Sequence, residues 1–231
     1  MLFQLDLSRV FFLYIVGLFV FIAIIYFIIQ LCQRRNKRLT YFLIIHLLAF
    51  ASSIVMNLIY IHIFNLPLRE IFYKITVFVN LFGLWFLFLF TYQIYSEDKM
   101  KKCPVIILTG SYLVLLIVII SFGRISINTS LHWYPNWSFF TLLAIFFLIL
   151  FHLFLPNLYF SIKVLKKFQF EELRRRWSFF IYGSSGGIWI IVASFFAYST
   201  NSLIIINSFG VLSLISLLFL YFLYHGIIQT I

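Results

Sequence analysis

The chain has 231 residues, of which 64% are hydrophobic and 10% charged, with a formal net charge of +11. A soluble chain carries roughly a quarter charged residues, so there are too few polar side chains here to cover a water-facing surface. This excludes a soluble catalytic or DNA-binding domain and leaves an all-α polytopic membrane protein, one domain over residues 1–231.

A transmembrane helix needs about 20 mostly apolar residues. Segments 10–31, 40–63, 71–95, 104–123, 138–162, 177–199 and 203–225 meet that requirement, which predicts seven transmembrane helices. The first reads as a retained helix, because its basic cluster follows it and no small-x-small cleavage site appears. Arg34, Arg35, Lys37 and Arg38 come next, then segment two. Residues 64–70 predict a tight turn in which Pro67 ends the helical pattern. Segment three is followed by Lys99, Lys101 and Lys102. Cys32 and Cys103 stand at helix ends on this same basic side, where a disulfide is not expected in a reducing compartment. Membrane-edge cysteines are also palmitoylation sites in some proteins, a weaker reading of the pair.

Segment four leads into the loop 124–137. Its Trp133, Tyr134 and Trp137 read as an interfacial aromatic belt. It also holds two glycosylation-type triplets, at Asn128 and Asn136. Segment five contains Pro156, which removes a helical hydrogen bond and predicts a kink. The stretch that follows carries Lys163, Lys166, Lys167, Arg174, Arg175 and Arg176. Spacing by four would pair Lys167 with Glu171, Glu171 with Arg175 and Glu172 with Arg176. Helical extensions with a turn near Phe168–Phe170 are expected. This stretch is either a basic anchor that fixes topology or a docking surface for a cytoplasmic partner. Near its inner end segment six carries Gly183-Ser184-Ser185-Gly186-Gly187, small residues that allow close helix packing. Residues 200–202 are a near-minimal turn, so segments six and seven are antiparallel neighbours.

The opposite face carries only Arg9, Arg69, Lys74 and Arg124 among its basic residues. The positive-inside rule then places the N-terminus outside and the C-terminus inside. The basic face attracts anionic lipid headgroups, and no nucleic-acid partner is implied.

The acidic residues are Asp6, Glu70, Glu97, Asp98, Glu171 and Glu172, all in loops or at helix ends. Proton relays and cation pathways usually need buried ionisable groups. Carboxylate-coupled transport and paired-carboxylate catalysis are therefore disfavoured. Segments six and seven hold no lysine for a retinal Schiff base. His46, His62, His132, His152 and His225 show no metal-ligand spacing. No metal, cofactor or enzymatic activity is expected. Polar groups in lipid must find partners and face the bundle interior. Asn57, Asn80 and Asn207 are thus candidates to line an outward-opening pocket, with Trp85 and Trp189 deeper. Equally, such amides pin helices together. Asn157 lies nearer the basic end and is set apart from that pocket.

Two stretches resemble the seven-helix sensor region of prokaryotic histidine kinases and diguanylate cyclases. One is Lys166-Lys167 through Glu172-Leu173-Arg174-Arg175-Arg176 into Tyr182-Gly183, similar to that family's basic loop entering helix six. The other is Leu220-Tyr221-Phe222-Leu223-Tyr224-His225-Gly226, similar to its final helix end. The resemblance implies a receptor or sensor that binds a small or lipophilic ligand and passes its output to a separate cytoplasmic protein. The alternatives are a transporter or channel subunit, and a non-catalytic assembly subunit of a larger membrane complex.

Overall fold

The structure is a computed structural model. It describes residues 11–33, 37–63, 65–96, 102–128, 134–200, 202, 204–206, 208–209 and 214–228. Helix α1 (Gly17–Cys32) follows a π-helical turn, Phe11–Val16. Then come α2 (Lys37–Ile61), α3 (Leu66–Ser96) and α4 (Lys102–Phe122). A hairpin of β1 (Ile125–Asn128) and β2 (Tyr134–Trp137) precedes the long rod α5 (Phe139–Lys167). Helix α6 (Glu171–Ser199) and the shorter α7 (Ile215–Ile228) complete the bundle. Six of these helices are long and apolar enough to cross a membrane. The described part of the last segment is a shorter apolar helix, Ile215–Ile227.

Helix α3 is the central post. It runs for 31 residues, longer than a bilayer needs, and 61% of its apolar window is buried. It starts at Leu66, which corrects the expected turn over 64–70. Proline lacks only an N–H that the first helical turn would leave unused, so Pro67 opens this helix and does not end the pattern. Asn65 caps the start, its Oδ1 accepting from the Leu68 N–H at 3.1 Å. Helix α2 lies along α3, α7 along α6, and α1 along α2, with α7 closing back on α1.

Two of these pairs are packed through glycine. A Cβ on Gly83 of α3 would lie 2.6 Å from the Ala49 Cβ of α2. A Cβ on Gly183 of α6 would lie 2.6 Å from the Leu223 amide nitrogen of α7, and one on Gly226 would lie 2.5 Å from the Phe180 nitrogen. Small residues let helix backbones approach this closely.

The hairpin adds a pair of strands to the loop of a chain expected to be all-α. Ile125 pairs with Trp137 and Asn128 with Tyr134, antiparallel. Trp137 is no belt residue: it is 2% exposed and packs on Tyr73 with ring centroids 5.9 Å apart. Behind it Gly123 leaves room, since a Cβ there would meet the indole at 3.0 Å. Ser138 then caps α5, its side chain accepting from the Thr141 N–H.

Pro156 is accommodated inside α5 by a change of helix type. Residues Ile149–Phe154 form a π-helical stretch, and the Leu155 N–H reaches the Leu150 carbonyl. Widening the turn separates the proline ring from the preceding carbonyls that a regular α-helix would press against it. The rod continues to Lys167, and α6 begins at Glu171 after the turn Phe168–Phe170.

Candidate functional site

Between the α2–α3 pair and the α6–α7 pair lies a small crevice with a cavity volume of about 50 Å³. Helix α2 contributes His46, Leu47 and Phe50, and α3 contributes Leu84 and Leu87. Helix α6 contributes Gly183, Ser184, Gly187 and Ile188, and α7 contributes Ser216, Phe219 and Leu223. Gly187 keeps the crevice open, because a Cβ there would have no neighbour within 4 Å. The lining is apolar apart from His46, Ser184 and Ser216.

Two of those polar groups are tied into the scaffold. His46 is 6% exposed, and its Nδ1 lies 2.9 Å from the Gly83 carbonyl oxygen. Ser184 belongs to a buried chain that joins three helices. The Thr91 hydroxyl of α3 donates to Asn157 Oδ1 of α5 at 2.7 Å, and Asn157 Nδ2 donates to Ser184 Oγ of α6 at 3.4 Å. Thr91 also reaches the Leu87 carbonyl, and Ser184 donates to the Ile181 carbonyl. The same side chain thus faces the crevice and ends a helix-spanning polar chain.

The residues expected to form one outward pocket are not gathered into one. Trp85 is 1% exposed in the core and stacks on Tyr112 at 4.7 Å, whereas Trp189 is 46% exposed, with its ring against Phe154. Asn57 and Asn80 are both half-buried, and Asn80 Oδ1 has no hydrogen-bond partner among the described residues. Tyr60 against Tyr73 and Ala49 against Gly83 fix how α2 and α3 pass each other. In that register the two amides stand more than one helical turn apart. Asn207 lies outside the described residues, as does the Asn128 side chain. The polar group that does converge is Asn157 with Thr91 and Ser184. Asn157 was visible in the sequence as a buried amide, but spacing alone did not reveal its partners.

The basic cluster spans the end of α5 and the start of α6. Lys163, Lys166, Lys167, Arg174 and Arg175 are exposed there. Lys163 lies over the Tyr159 ring at 5.5 Å. The helix ends at Lys167 and a new one starts at Glu171, so these two residues share no helix, which corrects the i,i+4 helical pairing expected across the turn. Lys167 instead donates to the Tyr95 carbonyl of α3 at 2.9 Å and lies over the Tyr95 ring. Arg176 pairs with Glu172 one turn back, as its spacing predicts. The indole N–H of Trp177 donates to the Ser161 carbonyl at 2.9 Å, pinning the start of α6 to α5.

At the opposite end two of the cations are engaged by the protein, while Arg124 is exposed. Lys74 lies 3.4 Å from Glu70. Arg69 is wholly buried, which corrects its reading as a loop residue: its Nε donates to the Tyr60 carbonyl at 3.1 Å and its guanidinium lies over the Tyr60 ring. No group of three metal-ligating side chains occurs among the described residues.

No protein-family model, curated protein or solved structure matches the chain.

Proposed function

We propose that this protein is a receptor or sensor-like module of seven transmembrane helices, N-terminus outside and C-terminus inside, that takes a small lipophilic ligand from the bilayer into the crevice between its two tight helix pairs. The observation that carries the reading is the position of Ser184. It faces the crevice and holds the buried chain to Asn157 and Thr91. A ligand wedged against it would act on α6, and Arg174 near the start of α6 lies ten residues earlier, about 15 Å along the axis. Output would pass from Arg174 and Arg175 to a separate cytoplasmic partner, with Lys163 and Lys166 resting on anionic headgroups.

The orientation draws on the charge pattern. Arg69 and Lys74 are engaged within the protein, while Lys163, Lys166, Arg174 and Arg175 are exposed at the other end. The seventh span would include Ile215–Ile228, and upstream of it the Ile206 N–H bonds the Ser202 carbonyl.

The test is purification in mild detergent followed by mass spectrometry of bound proteins and organic molecules. A lipophilic molecule together with a soluble partner that is lost on Arg174→Glu/Arg175→Glu substitution is the expected result. A stoichiometric membrane partner with no bound molecule would instead identify an assembly subunit.

A further inference from the structure

The exposed cations at the basic end of α5 and α6 share one depth. Each helix has 29 residues, about 43 Å of rod. That matches a bilayer with its headgroups, about 40–45 Å, and exceeds the hydrocarbon alone, about 30 Å. Phe139 and Phe140 are 69% and 81% exposed, so α5 offers hydrocarbon a contact from its first turn. Counted from there, exposed Tyr159 lies about 30 Å along α5, and exposed Tyr182 lies about 26 Å from the matching end of α6. Tyrosines gather at membrane–water boundaries, so these two mark the far edge of the hydrocarbon. Lys163 and Lys166 follow at about 36 and 41 Å, and Arg175 and Arg174 at about 36 and 38 Å. All four fall in one layer just past that edge, at headgroup depth.

This layer keeps its charge. The four side chains are exposed and make no ion pair among the described residues. Arg176 neutralises Glu172, which leaves the exposed Glu171 as the nearby opposing carboxylate. Lys163 lies over the Tyr159 ring at 5.5 Å, which holds its stem at the boundary. Arginine can grip a phosphate with two parallel hydrogen bonds, and lysine adds a point charge. We infer that Arg174 and Arg175, together with Lys163 and Lys166, form a headgroup site for anionic phospholipid, an inference that rests on the proposed output surface and names what its arginines hold before a partner docks. Zwitterionic lipid carries the same phosphate with a cation beside it, so the four positive charges select against it.

The probes are palmitoyl-oleoyl phosphatidylglycerol and the matching phosphatidylcholine, titrated onto full-length protein in detergent, with bound lipid counted by native mass spectrometry. The parent protein should retain phosphatidylglycerol in preference. Each cation near a membrane surface contributes about fivefold, so Arg174→Gln/Arg175→Gln should weaken phosphatidylglycerol binding by about 25-fold and leave phosphatidylcholine unchanged. Arg174→Lys/Arg175→Lys should keep the preference, and Arg124→Gln at the hairpin end should change nothing. These positions are exposed, so the variants should melt like the parent. A preference that survives Arg174→Gln/Arg175→Gln would overturn the inference and leave the arginines to a soluble partner. If that surviving preference is lost with Lys163→Gln/Lys166→Gln, the lysine contact of the proposed function stands without them. Equal retention of both lipids by the parent would overturn the inference and count against headgroup contact at this end altogether. Equal loss with Arg124→Gln would overturn it too, by tracing the preference to net charge alone.

Discussion

Asn157 bonds to two helices at once, yet its loss should be cheap. Thr91 and Ser184 both retain a carbonyl within their own helices, at Leu87 and Ile181. Neither would be left without an acceptor, so the cost should stay near the usual value for an interhelical hydrogen bond in membranes, about 0.6 kcal/mol and at most about 1.7. A double-mutant cycle of Asn157→Leu with Thr91→Val, read by reversible unfolding in mixed micelles, should return a coupling in that range. A coupling near zero would remove the chain as a link between α3 and α5. Trp137 should behave in the opposite way. Truncating a fully buried tryptophan costs about 3–5 kcal/mol, whereas a lipid-interface residue would cost far less. Trp137→Ala should therefore bring the unfolding midpoint down sharply, and a midpoint within error of the parent would place that ring outside the core. The sequence marks Trp137 as aromatic and near a boundary, which is where a belt residue also lies. Only the hairpin register, Ile125 opposite Trp137, turns it inward. Arg69 was hidden for a similar reason: a charge in a predicted turn reads as exposed until a neighbour such as Tyr60 is seen to enclose it.

At the level of elements, the glycines of α6 separate into two kinds that composition cannot distinguish. A methyl group at Gly183 meets backbone atoms, Leu223 N at 2.6 Å and Phe219 O at 2.8 Å, which can yield only if α7 moves. A methyl at Gly187 meets nothing within 4 Å. Gly183→Ala should destabilise by about 1–3 kcal/mol through overpacking. Gly187→Ala should stabilise by up to about 1 kcal/mol, because alanine favours the helix. Opposite signs in thermal melting are the check, and equal effects would show that the α6–α7 contact is not held by Gly183. Segments two and four were legible because apolar length alone bounds them: 40–63 against Thr40–Tyr60, and 104–123 against Val105–Phe122. The turn at Phe168–Phe170 was legible because it is the uncharged gap inside the charged stretch 163–176. The start of α3 was not, since proline reads as a breaker although the first turn tolerates it. Which helix face looks inward was not legible either. Helices this apolar on every side carry little amphipathic signal, so the crevice and the triad at Ser184 emerge only once the helices are packed.

For the whole molecule, the account sets one orientation and one site. Arg124 is exposed beside the hairpin and Gln169 is exposed in the turn before α6, at opposite ends of the bundle. With Cys32 and Cys103 replaced by serine, a membrane-impermeant thiol reagent should label Arg124→Cys in intact cells. It should label Gln169→Cys only after permeabilisation, and the reverse pattern would invert the topology. The central claim is that the gap between the α2–α3 and α6–α7 pairs holds a lipophilic molecule. Its most direct test is side-by-side purification of the parent protein and Gly187→Phe, with quantitative mass spectrometry of everything extracted into organic solvent. The account predicts one compound in the parent, near a fixed molar ratio to protein, that is lost from Gly187→Phe while the melting curve is retained. Identical extracts from the two proteins would contradict it.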